Sequence, residues 1–107
     1  MILSPGVRVT EKQLQAQVVQ LARLTGWRCY HTFDSRRSAP GFPDLVLARP
    51  PRLIFAELKS EKGRLRPAQV EWLEALAEVE RAPEAYLWRP ADFGDIQSTL
   101  RRGAAQV

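Results

Sequence analysis

Residues 41–69 read GFPDLVLARPPRLIFAELKSEKGRLRPAQ. Two short apolar, β-rich runs, DLVLA and RLIFAELK, flank the turn sequence RPPR, which is the pattern of a hairpin. Charged residues interrupt both runs: Asp44 opens the first, and Glu57 and Lys59 close the second. With the turn centred between Pro50 and Pro51, Asp44 and Glu57 are equally far from the centre and face each other across the ladder. Two prolines cannot supply the positive φ angles of a tight primed turn, so a four-residue loop is expected, with the register unchanged. Glu57 and Lys59 lie two positions apart and project from one face, roughly 7 Å apart at the rise of a strand.

Facing carboxylates repel, and each raises the pKa of the other unless a cation lies between them. Oxygen ligands from Asp44 and Glu57, completed by water and a substrate phosphate, suit Mg²⁺ or Mn²⁺ rather than zinc. Lys59 on the same face is suited to orient or deprotonate an attacking water, or to neutralise charge developing on the phosphate. Phosphodiester hydrolysis is the chemistry this trio fits. The simpler alternative is a cross-strand salt bridge, Lys59 with Glu57 or with Asp44, on a solvated sheet face. The apolar remainder of the strand weighs against it.

Outward from this stretch, the chain shows no repeat, low-complexity tract or long linker, and its 107 residues suit one domain, 1–107, with a modest core. TEKQLQAQVVQLARLTG places Thr10 and Gln13 as a capping box, Leu14, Val18 and Leu21 on one helical stripe, and Gly26 at the close. WRCYHTF reads as a strand leading into the polar loop DSRRSAPGFP. Pro67 suits the first position of a second helix, whose stripe runs through Val70, Leu73, Leu76 and Val79. EAYLWR reads as a strand and ADFGDIQSTLRRG as a short helix, with Asp92 near its start and Arg101 and Arg102 near its end, matching the helix dipole. The expected fold class is α/β, ordered α-β-β-β-α-β-α, with a mixed central sheet flanked by helices.

Sixteen Lys and Arg against 12 Asp and Glu leave a net charge of +4, which suits a polyanionic partner. The lone Cys29 excludes an internal disulfide and a Cys-rich zinc site. No run approaches a membrane span or a signal peptide, so an intracellular, cytoplasmic protein without membrane contact is expected. Arg36 and Arg37 just before the Pro43-Asp44 pair, and Lys62, Arg64 and Arg66 just after Lys59, flank the proposed site and are suited to hold phosphates without reading sequence. His31, near a strand end, is either a further phosphate contact or an ordinary half-buried histidine. Trp27, Trp72 and Trp88 stand at apolar positions of three elements and read as core rather than as base-stacking platforms.

Pro43-Asp44 followed by Glu57-Leu58-Lys59 resembles the PD-(D/E)XK nuclease superfamily, and the wider text HTFDSRRSAPGFPDLVLARPPRLIFAELKSEKGRLRPAQVEWLEAL is similar to stand-alone VRR-Nuc proteins of phages and bacteria. The resemblance runs from Glu11 to about residue 100 and adds G-x-PDL, Gly63-Arg64-Leu65, Gln69 and Trp72 to the short motif. It implies a restriction endonuclease-like core in which Asp44, Glu57 and the backbone carbonyl of Leu58 carry Mg²⁺ or Mn²⁺ and Lys59 is the catalytic lysine. Gln69 matches the family's glutamine on the helix after the catalytic strand, and its own spacing from Leu73 and Leu76 turns it toward the sheet. Glu11 and Gln15 match the family's first helix, where related nucleases use an acidic residue to reach the metal through water. Arg66 stands where the family usually has Ser or Thr, which weakens the cap of the second helix. By the same resemblance the chain is expected to be a homodimeric endonuclease acting on branched DNA such as four-way junctions. The alternatives are a basic DNA-binding module that does not cleave, and a nuclease preferring flaps or RNA.

Overall fold

Thr10 and Gln13 close the expected box: the Thr10 hydroxyl accepts the Gln13 N–H at 3.0 Å, and the Gln13 side chain accepts the Thr10 N–H at 3.0 Å. They start α1 (Glu11–Leu24), whose Leu14, Val18 and Ala22 are buried. The computed structural model describes residues 8–32, 38–80 and 83–103. After α1 come β1 (Arg28–His31), β2 (Leu45–Arg49), β3 (Arg52–Leu58), α2 (Pro67–Ala77), β4 (Glu84–Trp88), a 3₁₀ turn (Pro90–Asp92) and α3 (Phe93–Arg101). The order α-β-β-β-α-β-α is the expected one.

The sheet runs β1-β2-β3-β4, with β1, β2 and β3 antiparallel and β4 parallel to β3. A parallel neighbour needs a crossover, and α2 supplies it. Successive strand residues point to opposite faces, so the register sorts the side chains into two layers. Leu45, Leu47, Ile54, Ala56, Leu58 and Trp88 turn toward α1 and α3, where they meet Leu14, Val18, Ala22, Ile96 and Leu100 in the main core. Enclosing a leucine or isoleucine in such a cluster contributes about 1.5–3 kcal/mol. The other face carries Phe55 and Glu57 toward α2, where Phe42 meets the edges of Phe55 and Trp72 at centroid distances of 5.9 and 5.1 Å. This second layer is thinner. Tyr30, on the part of this face carried by β1, is 62% exposed.

Two expectations need correction. The β2–β3 loop has two residues, since Arg49 pairs with Arg52; Pro50 and Pro51 are joined by a cis peptide, the isomer that lets proline take the second turn position. The register is nonetheless the expected one. Further on, α2 stops at Ala77, and Val79 is 53% exposed instead of extending the stripe, because the chain turns at residues 78–80 toward β4.

Candidate active site

Three elements, the start of β2, the end of β3 and α2, bring Asp44, Glu57, Lys59 and Gln69 together. Leu45 pairs with Ala56, so one step further along the ladder Asp44 stands opposite Glu57. The Asp44 carboxylate accepts the Leu58 N–H at 2.9 Å, which fixes it at the end of β3. Its own segment is held from both sides. Gly41 has φ +89° and passes so close to α2 that a β-carbon there would lie 2.5 Å from the backbone of Ala68. Only glycine tolerates both conditions. Phe42 then packs between Phe55 and Trp72, and Pro43 is fully enclosed, so the G-x-P-D sequence is a packed device for presenting Asp44.

Glu57 and Lys59 project from one face of the same strand end, with Lys59 Nζ 3.5 Å from Glu57 Oε2. The pair does not lie on a solvated sheet face: Glu57 is 2% exposed and Lys59 8%. Gln69 closes the arrangement from α2, where its Nε2 donates to Glu57 Oε2 at 2.9 Å and its Oε1 accepts the Arg66 N–H at 2.8 Å. One amide therefore both orients the carboxylate and satisfies a helix-start N–H, while Arg66 supplies no side-chain cap.

Electrostatically, the site is short of positive charge. Among the described residues, Glu57 Oε1 is buried without a hydrogen-bond partner. Burial, followed by the neighbouring Asp44 charge, pushes the Glu57 carboxyl up to about 8, against the lesser opposing pull of Lys59. An enclosed carboxylate oxygen with nothing on it, beside a second carboxylate, is what a hard cation would satisfy. No three His, Cys, Asp or Glu side chains converge among the described residues. Two carboxylates, a backbone carbonyl, water and phosphate form a donor set that fits Mg²⁺ or Mn²⁺, which are held by few protein ligands, and not a structural zinc ion.

The remaining sequence candidates fall into other places. Glu11 is exposed in the first turn of α1, and Gln15 is half-buried beside His31 in a groove that also includes Lys12, Val19 and Arg23. α1 covers the face opposite α2, and among the described residues no hydrogen bond or ion pair joins Glu11 or Gln15 to the cluster. His31 pairs with Leu45 and so turns toward α1, away from Asp44. Lys62, Arg64 and Arg66 are exposed on the segment leading from the cluster to α2. Arg36 and Arg37 lie outside the described residues. A second groove, containing Tyr86, Trp88, Asp92 and Asp95, lies between β4 and α3, away from the carboxylate pair. Trp27 and Trp88 are core residues, as expected, and Trp72, carried by α2, packs against Phe42.

Motif reading passes over Arg89, whose guanidinium reaches the carbonyls of Ser60, Glu61 and Gly63. These partners lie 26 to 29 positions earlier, and no local periodicity signals such a contact.

No curated protein matches the chain. A solved structure described as a VRR_NUC domain protein superposes with a TM-score of 0.66 at 22% identity, covering 90% of this chain and 88% of that one, which shows a shared fold. The family model for the VRR-NUC domain matches residues 2–85, a span that includes the hairpin, both carboxylates, Lys59 and Gln69. With its strand order and this match over most of its length, the chain belongs to the VRR-NUC domain family, a nuclease-type domain.

Proposed function

We propose that the protein is a metal-dependent endodeoxyribonuclease whose active site is Asp44, Glu57, Lys59 and Gln69. The observation that carries this reading is the buried, unpartnered Glu57 Oε1 beside Asp44. Asp44 and Glu57, with the Leu58 carbonyl, would hold Mg²⁺ or Mn²⁺, which when bound supplies Lewis-acid stabilisation of charge on the phosphate. Gln69 keeps the Glu57 carboxylate in its orientation. Lys59 donates to the attacking water or to a phosphate oxygen, aligning the one and offsetting charge on the other. The water oxygen bonds to phosphorus and gives up a proton to solvent, the bond to the leaving sugar oxygen breaks, and that oxygen takes up a proton from solvent. The exposed Lys62, Arg64 and Arg66 steer the backbone of the nucleic acid to this end of the sheet, and Arg36 and Arg37 are assigned the same task.

Branched DNA as the preferred substrate, and a homodimer as the acting form, follow from the resemblance to stand-alone relatives. Two copies related by a two-fold axis would match the symmetry of a four-way junction. Incubating labelled duplex, flap, splayed and four-way-junction DNA with Mn²⁺ tests both levels of the reading. Cleavage that stops on chelation supports the nuclease assignment, and paired nicks on the junction support the dimer. Binding without any cleavage would instead identify a basic binding module.

A further inference from the structure

Arg89 follows directly on β4, beside Lys59 in the sheet, where the Lys59 N–H donates to the Trp88 carbonyl at 3.0 Å. Its Nη1 donates to Ser60 O at 2.7 Å, Gly63 O at 2.8 Å and Glu61 O at 3.1 Å. All three acceptors belong to one turn, closed by the Gly63 N–H on Ser60 O at 3.2 Å. Carbonyls gathered about a guanidinium form a rigid, charge-assisted socket. The base of the arginine is fixed too: its backbone N–H donates to Asp92 Oδ2 at 2.9 Å, and the Glu61 carboxylate accepts the Ala91 N–H. The turn in turn backs the lysine, since a β-carbon on Gly63 would lie 3.4 Å from Lys59 Cδ and 3.1 Å from Ser60 Oγ. The guanidinium thus binds the turn whose Gly63 lies close beside the stem that carries the Lys59 ammonium toward Glu57.

We propose that Arg89 is a positioning residue for Lys59: by holding the 60–63 turn it fixes where the lysine ammonium sits. This rests on the nuclease reading above. An arginine that merely fastens β4 to the preceding loop would change unfolding temperature and nothing else.

The test uses the full chain carrying Arg89→Met, which keeps the apolar stem and removes the donors. In NMR spectra the Gly63 amide should exchange about 10-fold faster, and the proton–proton contact between Gly63 Hα and the Lys59 δ-methylene should be lost. Well below the unfolding temperature, single-turnover cleavage of labelled DNA with Mn²⁺ should fall about 10- to 100-fold. The DNA concentration giving half-maximal rate should move by less than about 3-fold, since a lysine misplaced at the reacting centre lowers rate rather than binding. Arg89→Lys, which retains a cation with fewer and unforked donors, should recover part of both signals, and it carries the same readouts should Arg89→Met fail to fold. Unchanged Gly63 exchange with the Lys59 contact retained overturns the proposal, as does wild-type cleavage by folded Arg89→Met. If wild-type protein does not cleave with Mn²⁺, the nuclease reading falls, and the two NMR signals still decide whether Arg89 sets the lysine.

Discussion

The β2–β3 hairpin has a charged cluster at each end, and the two are built on opposite terms. At the turn end, Arg52 grips both oxygens of Glu84 at 2.8 and 2.7 Å, and the Tyr86 hydroxyl and Arg102 add further donors at 2.7 and 3.2 Å. Those donors, the Arg52 guanidinium first, hold the Glu84 carboxyl below its usual range. Spare guanidinium donors go to helix ends. Arg49 binds the Thr25 and Leu100 carbonyls at 2.8 and 2.9 Å, Arg52 binds Thr99 O at 2.8 Å, and both arginines stack over Trp27, whose indole N–H also holds Leu100 O. At the open end, Glu57 has one oxygen held by Gln69 and Lys59, while the other has no hydrogen-bond partner among the described residues. A carboxylate with its donors in place ties elements together, whereas a carboxylate enclosed without enough donors costs stability and stands ready for a cation. The first arrangement serves folding, and the second is the one that the proposed chemistry would use.

Substitution should separate the two ends most sharply in activity. Asp44→Ala and Lys59→Ala should each lower cleavage by about 10³-fold while the unfolding temperature stays within a few degrees of wild type. Measured together, cleavage rate and thermal unfolding check this, and a variant that unfolds but still cuts when cold would assign those residues to the turn-end type. Arg52→Met should do the reverse, costing about 2 kcal/mol of stability in urea titration through the loss of both Arg52 donors to Glu84 and a loosened α3 end, with cleavage retained below the melting point.

Per pH unit the third effect is the smallest, and it is also the most diagnostic, because the two glutamates have pH dependences of opposite sign. Glu57 has a folded pKa raised to about 8, so its contribution is full below the unfolded value near 4.5 and is lost as pH rises through 8. Metal-free protein should therefore lose stability between pH 5 and 8, by at most about 1.4 kcal/mol per pH unit for one proton. Glu84 has a lowered folded pKa, so its contribution is full above 4.5 and disappears on acidification. Thermal melts across pH check both: Glu57→Gln should remove the loss toward pH 8, and Glu84→Gln should weaken the acid side alone.

The open end was more legible in the sequence than the turn end. Strand parity and a symmetric turn suffice to set Asp44 against Glu57 and to put Lys59 beside it, because register is local arithmetic, and Gln69 follows from helical spacing. Depth does not follow from parity: Glu57 is enclosed because α2, Phe42 and Trp72 cover that face, a consequence of tertiary packing. The layer assignment of α1 is likewise tertiary, which is why Glu11 and Gln15, plausible by helix position, lie across the sheet from α2. RPPR reads as a turn and nothing more, although its arginines hold two helix ends 24 and 51 positions away. Long, flexible cations find partners that no short window contains.

Whether Glu57 and Asp44 hold a cation can be read from calorimetric titration of metal-free protein with Mn²⁺ at pH 7. Binding should come with release of a proton, seen as a dependence of the heat on the buffer's ionisation enthalpy, because the cation displaces the proton that Glu57 otherwise holds. Glu57→Gln should abolish both the binding and the proton. Mn²⁺ binding that persists unchanged in Glu57→Gln, or a wild-type protein that takes up no Mn²⁺, would contradict a cation held by Glu57 and Asp44.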